Sequence, residues 1–212
     1  QLMDGAFSAH RVKTLEPGIT RIIVDLVEKL ADKGAGGAVV EGVKEFAIPL
    51  TIAVICEQLG FSHYNGEKIS RWSEAVTAQI GRMQSREQMI ENARQICDLQ
   101  KFIIEQIRDR EAAPREDMIS DLVHAHTADG GKLGFAEVVS LVRALVIAGN
   151  DTTATAIGNL LFVLATQPEL AKQLHANVDD DRYLNRFVEE LLRIEPPVRG
   201  CSTPAMPSLT SI

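Results

Sequence analysis

Residues 134–167 read GFAEVVSLVRALVIAGNDTTATAIGNLLFVLATQ, the longest apolar stretch in the chain. Apolar side chains recur at helical spacing through Val138, Leu141, Leu145 and Ala148, then through Ile157, Leu160, Leu161 and Leu164. The pattern predicts a single helix about 50 Å long. Its flanks are apolar nearly all round, which predicts a buried central helix. Glu137, Arg143 and Asp151 interrupt the run, so it does not read as a membrane span. The centre, Ala148-Gly149-Asn150-Asp151-Thr152-Thr153, is poor helix sequence. Glycine costs roughly 1 kcal/mol against alanine, and Asn, Asp and Thr all rank low. Threonine hydroxyls can also bond back to the carbonyl four residues earlier and bend the helix. A small residue, an acid and two hydroxyls inside an apolar rod suggest a groove lined with proton-transfer groups. Spacing alone supports two other readings equally well, a polar patch facing water and a break between two helices.

Working outward, the flanking sequence is helical almost throughout. Pro17 reads as a first-turn proline, followed by a stripe of Ile19, Ile22, Ile23, Leu26, Val27 and Leu30 that ends near Gly34. Gly34 to Gly37 is a turn, and Ala38-Val39-Val40 is a candidate short strand. Val43 to Leu59 reads as a mostly buried helix stopped by Gly60, with Pro49 imposing a kink or a late start. Asn65 to Met83 is a lighter amphipathic helix carrying Trp72. Arg86 to Arg110 is a long polar helix with Ile90, Ile96, Phe102, Ile103 and Ile107 on one side and charges facing water on the other. Pro114 is a break, Asp117 to His126 a short helix, and Asp129-Gly130-Gly131 a turn into the central helix. Beyond it, Pro168 starts a short helix over Glu169–Ala176, and Arg182 to Ile194 follows until Pro196-Pro197. About nine helices and no firm strand make this an all-α chain.

Composition sets outer bounds. The 212 residues carry a net charge of −7, which disfavours nucleic acid as a partner. Cys56, Cys97 and Cys201 are far apart, with no CxxC pair, so neither a disulfide framework nor a zinc site is expected and a cytoplasmic location fits. Histidines 124 and 126 fall on different faces of a helix, and His10, His63 and His175 are isolated, so no metal site is expected.

Glu190-Leu191-Leu192-Arg193 places an acid and a base on one helix face, where they can pair. Alone this spacing is common on solvated helices. Taken in order with Ala148-Gly149-x-Asp151-Thr152-Thr153, Pro168-Glu169-Leu170 and Pro196-Pro197-Val198, it resembles the cytochrome P450 haem-thiolate monooxygenases of the bacterial soluble type. LMDGAFSAHRVKTLEPGI, residues 2–19, is similar to the family's segment after helix C, and PREDMISDL, residues 114–122, to its helix H region. The resemblance implies the central part of that fold, helices D to K around a long helix I. It makes Asp151 and Thr152 the acid–alcohol pair that delivers protons to bound dioxygen. Ala148 and Gly149 would open the groove beside the haem, and Glu190 and Arg193 would be structural. Residues from about 61 to 112 would form a mobile lid that sets substrate choice. A full-length parent would oxidise a small apolar substrate with electrons from a redox partner.

The same resemblance shows what is not in these 212 residues. The family's haem is held by a cysteine in a Phe-x-x-Gly-rich loop well beyond helix K, followed by helix L. Here Cys201 stands eight residues after Arg193 in Arg199-Gly200-Cys201-Ser202-Thr203, without that motif, and Thr203 replaces a basic residue the family often places there. The expectations are therefore a partial family domain over 1–202, a polar non-family tail over 203–212, no haem bound by this chain and no catalysis by it alone. Helix I surface left uncovered would drive self-association or a domain swap. A haem-free relative that activates a partner enzyme is the alternative, although such a protein would have no use for Asp151 and Thr152.

Overall fold

Prolines, glycines and capping side chains cut the chain where their chemistry requires it. The computed structural model describes residues 9–61, 63–79, 84–126 and 130–198, with side chains from residue 13 onward. Along these residues run α1 (Ala9–Ala35), a π-helical turn (Val43–Ala47), α2 (Ile48–Leu59), α3 (Gly66–Thr77), α4 (Arg86–Ala112), α5 (Met118–His124), α6 (Phe135–Thr166), α7 (Pro168–Ala176) and α8 (Asp181–Ile194). The all-α class is as the sequence implies, and among the described residues strand pairing is limited to one isolated bridge, His126 with Lys132.

Four helix starts have a side chain that accepts from their free backbone donors. Asn65 accepts from the Lys68 N–H at 3.0 Å, and Asp117 from that of Ser120 at 2.8 Å. Asp180 accepts from the N–H groups of Arg182 and Tyr183. Ser85 and Gln88 close a reciprocal capping box at the head of α4. Gly60 ends α2 at φ 75°, a left-handed position that favours glycine. Pro49 resolves the expected kink as a late start. It sits in the first turn of α2, and the turn before it widens so that the Ile48 N–H reaches the Val43 carbonyl.

Two local expectations fail. Pro17 lies well inside α1, so the helix starts earlier than the proline suggested; a proline removes one backbone donor without stopping the helix here. Ala38–Val40 is no strand. It has no neighbouring strand to pair with, and Val39 is 92% exposed.

The chain divides into two compact units, the first ending at Ala154 and the second beginning at Thr155. The first unit holds the core. Leu59, Ile69, Trp72, Leu99, Ile103, Ile107, Ile119, Val142 and Val146 are buried in it. Phe102 meets Phe61 edge-on at 4.8 Å and Trp72 at 5.3 Å, which locks α4 against α3 and the turn after α2. Within this unit α6 buries one stripe, Val138, Val142, Val146, Asn150 and Ala154, with Val139 beside it. Its opposite side, including Ala144 and Ala148, is exposed, so burial all round is corrected to burial along one face. Ile90, expected on the apolar side of α4, is exposed because the buried stripe there runs Leu99–Ile103–Ile107–Arg110.

The second unit contains the rest of α6 with α7 and α8. Asn159 Nδ2 donates to the Glu195 carbonyl at 3.1 Å, joining α6 to the end of α8. No residue of α7 or α8 is buried, and Phe162, Val188, Leu192 and Ile194 are exposed. No helix among the described residues is long and apolar enough to cross a membrane. Arg199, Cys201 and the expected boundary between 202 and 203 lie outside the described residues.

Candidate functional site

The polar centre of α6 stays helical, so the reading of a break between two helices is set aside. Its side chains divide between core and surface. Asn150 is 2% exposed and points inward, where its Oδ1 accepts from Thr51 Oγ1 at 2.7 Å. Thr51, in the first turn of α2, also has the Ile48 carbonyl 3.0 Å from its Oγ1, as a second acceptor for the same hydroxyl proton. A buried amide without partners would cost about 1–3 kcal/mol, so this pairing keeps a polar residue tolerable in an apolar stripe.

Asp151 is half-buried at the edge of the same stripe. Its Oδ1 accepts from Asn150 Nδ2 at 3.3 Å, and its Oδ2 accepts a short hydrogen bond from Thr77 Oγ1 at the end of α3. The carboxylate is thereby oriented through both oxygens, from α6 itself and from α3. Thr152 Oγ1 donates to the Ala148 carbonyl at 2.7 Å, the back-bond that threonine makes inside helices. Gly149 is where α2 comes close: a Cβ built there would meet Ile55 Cδ1 at 3.4 Å. Ala148 faces an open cleft of about 330 Å³, bounded by Val76 of α3, Gln79 just after it, Ile96 of α4, and Arg143 and Ile147 of α6. A larger cleft of about 1110 Å³ lies apart from these residues, between α1, α2 and α3, with Asp25, Lys29, Glu67 and Arg71 among its walls.

The four α6 positions singled out by sequence thus share one segment, and the structure adds Thr51, Thr77 and Asn150 to them. Sequence reasoning had no access to Thr51 and Thr77, which are 99 and 74 residues away from their partners. Glu190 and Arg193 do pair, and doubly: Arg193 Nε to Oε2 at 2.8 Å and Nη2 to Oε1 at 2.7 Å. The hydrogen bond from Arg193 holds the Glu190 carboxyl below its ordinary pKa, and both side chains are exposed.

Metal-ligand chemistry is sparse. Among the described residues no group of three His, Cys, Asp or Glu side chains converges. Cys56 is fully buried in the core, and burial pushes its thiol up to about 12, so it stays protonated. Cys97 is exposed along α4.

A family model described as cytochrome P450 matches residues 70–204. The chain is 33% identical over 199 residues to 6-deoxyerythronolide B hydroxylase of Saccharopolyspora erythraea, covering 93% of this chain and 46% of that protein. It is 32% identical over 206 residues to mycinamicin IV hydroxylase/epoxidase of Micromonospora griseorubida, covering 96% of this chain and 48% of that one. Among solved structures, P450BioI in complex with a hexadec-9Z-enoic acid ligated acyl carrier protein superposes with a TM-score of 0.79 at 29% identity, over 91% of this chain and 47% of that one. The chain therefore spans about half the length of the relatives it matches.

Proposed function

The chain belongs to the cytochrome P450 family, and from that membership we propose that it supplies the proton-handling side of a haem-dependent monooxygenase site. In this family a haem with an axial cysteine thiolate supplies the dioxygen chemistry. The described residues do not fit the ligand side of that group. Cys56 is a buried thiol that stays protonated, and Cys97 is an exposed thiol on α4. We propose that neither of these two cysteines is the haem ligand and that the 212 residues do not act as a monooxygenase alone; Cys201 lies outside the described residues. A small apolar substrate and a redox partner belong to the whole protein.

What supports the reading is the pinned carboxylate beside a hydroxyl in an otherwise apolar helix. Asp151 is held from two sides, by Asn150 Nδ2 and Thr77 Oγ1, yet remains half-open to solvent. It can take a proton from water and hold it at a fixed point. The Thr152 proton rests on the Ala148 carbonyl, and rotation about χ1 frees it for an acceptor beside Ala148. Asp151 then restores it, directly or through one water. Ala148 carries only a methyl into the cleft, which leaves room for that acceptor. Gly149 allows α2 to approach, and Ile55 sits behind it. Glu190 and Arg193 act structurally, as a fixed charged pair on α8.

The test is Asp151→Asn in a haem-loaded protein containing these residues. Loss of the exchanging acid should lower product formation by about 10²-fold and raise the solvent isotope effect. An unchanged rate with an unchanged isotope effect would remove Asp151 from the proton path. We propose further that the exposed apolar residues of the second unit drive self-association.

A further inference from the structure

The cleft beside Ala148 has one ionised group among its described walls, Arg143, and that group has no ion pair or hydrogen-bond partner among the described residues. Residues three and four positions away on α6 are Val139, Ser140, Val146 and Ile147, so the helix offers it no acid. Arg94 pairs with Glu91, Arg115 with Asp109 and Arg193 with Glu190, whereas the exposed Arg71, Arg86, Arg108, Arg182 and Arg186 have no ion pair among the described residues either, so what distinguishes Arg143 is its place in this cleft. Around Arg143 the described walls are apolar or neutral, with Val76, Ile96, Ile147 and Ala148 apolar and Gln79 and Ser140 polar but uncharged. An arginine fork matches a carboxylate in two parallel hydrogen bonds, and a single guanidinium neutralises a single negative charge.

We propose that this cleft selects a small amphipathic monocarboxylate, with the carboxylate on Arg143 and the apolar body lying along α6 past Ile147 toward Ala148. The inference rests on reading the Ala148 side of α6 as the place of oxidation. Arg143 precedes Ala148 by five residues, about 7.5 Å along the helix axis. The carboxylate end is thus held away from Thr152, and a carbon remote from the acid is the one presented. Arg143 is a specificity determinant in this scheme and takes no part in proton transfer.

The test is titration of the full 212-residue chain with octanoate and with octanamide, its neutral counterpart, followed by calorimetry and by amide shifts along α6. Octanoate should bind about tenfold more tightly than octanamide, the scale of one charge-assisted pairing. Arg143→Gln should abolish that ratio, Arg143→Lys should keep part of it, and added salt should shrink it. Equal affinities, or a ratio that survives Arg143→Gln, would overturn the anion site while leaving the Asp151 reading to its own isotope-effect test. Binding of neither ligand would overturn the cleft as a ligand site altogether. The guanidinium is exposed, so neither variant should disturb folding.

Discussion

Arg110 Nε donates to Asp117 Oδ2 at 2.9 Å, with the arginine side chain fully buried between α4 and α5. The other two nitrogens are also used: Nη1 reaches Gln106 and Asp109, and Nη2 makes a short hydrogen bond to the Gly60 carbonyl. One guanidinium thus ties α4, the start of α5 and the end of α2 together. Removing it leaves Asp117 buried without its counter-charge. Arg110→Met should cost about 3–5 kcal/mol, and Arg110→Met with Asp117→Leu distinctly less, because an apolar pair has no orphaned charge. Urea denaturation of the two variants measures this difference, and equal losses would mean the pair is not coupled.

The same contact sets an acid limit. Burial pushes the Asp117 pKa up, but the Ser120 backbone N–H, the Arg110 guanidinium and the Ser120 side chain outweigh it and hold the carboxyl below its ordinary value. A carboxyl with a lowered folded pKa stabilises fully above its unfolded value, about 3.9. That contribution is lost as pH falls from there through the folded pKa. Stability should therefore drop on acidification below about pH 4 more steeply in the native chain than in Asp117→Asn, as followed by the urea midpoint against pH.

Asn150 gives a separate stability test inside the candidate site. Asn150→Ala removes the acceptor of Thr51 and one of the two donors that orient Asp151. The expected loss is about 1–2 kcal/mol, reduced because the Thr51 hydroxyl can still donate to the Ile48 carbonyl. In a haem-loaded protein the same variant should slow turnover less than Asp151→Asn does, since Thr77 still holds the carboxylate.

Where the sequence carried the fold, it did so through residues with one structural use. Gly60, Asn65, Asp117 and Pro168 marked helix ends because left-handed backbone, capping oxygens and missing N–H groups leave little choice, whereas the Ser85 cap was not read from the sequence. Pro17 misled because a proline inside a helix weakens it without necessarily ending it. The core face of α6 was shifted: apolar residues on every side cannot indicate which stripe is buried, and the true stripe includes Asn150. Arg110 was legible in principle, in phase with Leu99, Ile103 and Ile107, but a charged residue reads as solvent-facing until its partner is seen. For the site, α6 was found from its own composition. Thr51 and Thr77 depend on helix packing that spacing does not encode.

Self-association has its own measurement. Phe162 is 69% exposed, and Val188, Leu192 and Ile194 are exposed on α8. Sedimentation at micromolar concentration should show species larger than one chain, and Phe162→Asp should shift them toward monomer. A monodisperse monomer for the unaltered chain would contradict the proposal.

We propose that α6 handles protons in this P450-family chain while the haem thiolate is supplied by none of Cys56, Cys97 and Cys201. The most direct measurement is the reduced carbon-monoxide difference spectrum of the purified chain after haem addition. No thiolate-type band is expected from the unaltered chain, and none from Cys56→Ser, Cys97→Ser or Cys201→Ser. A thiolate-type band that one of those three substitutions abolishes would contradict the account, by showing that this chain holds the metal itself.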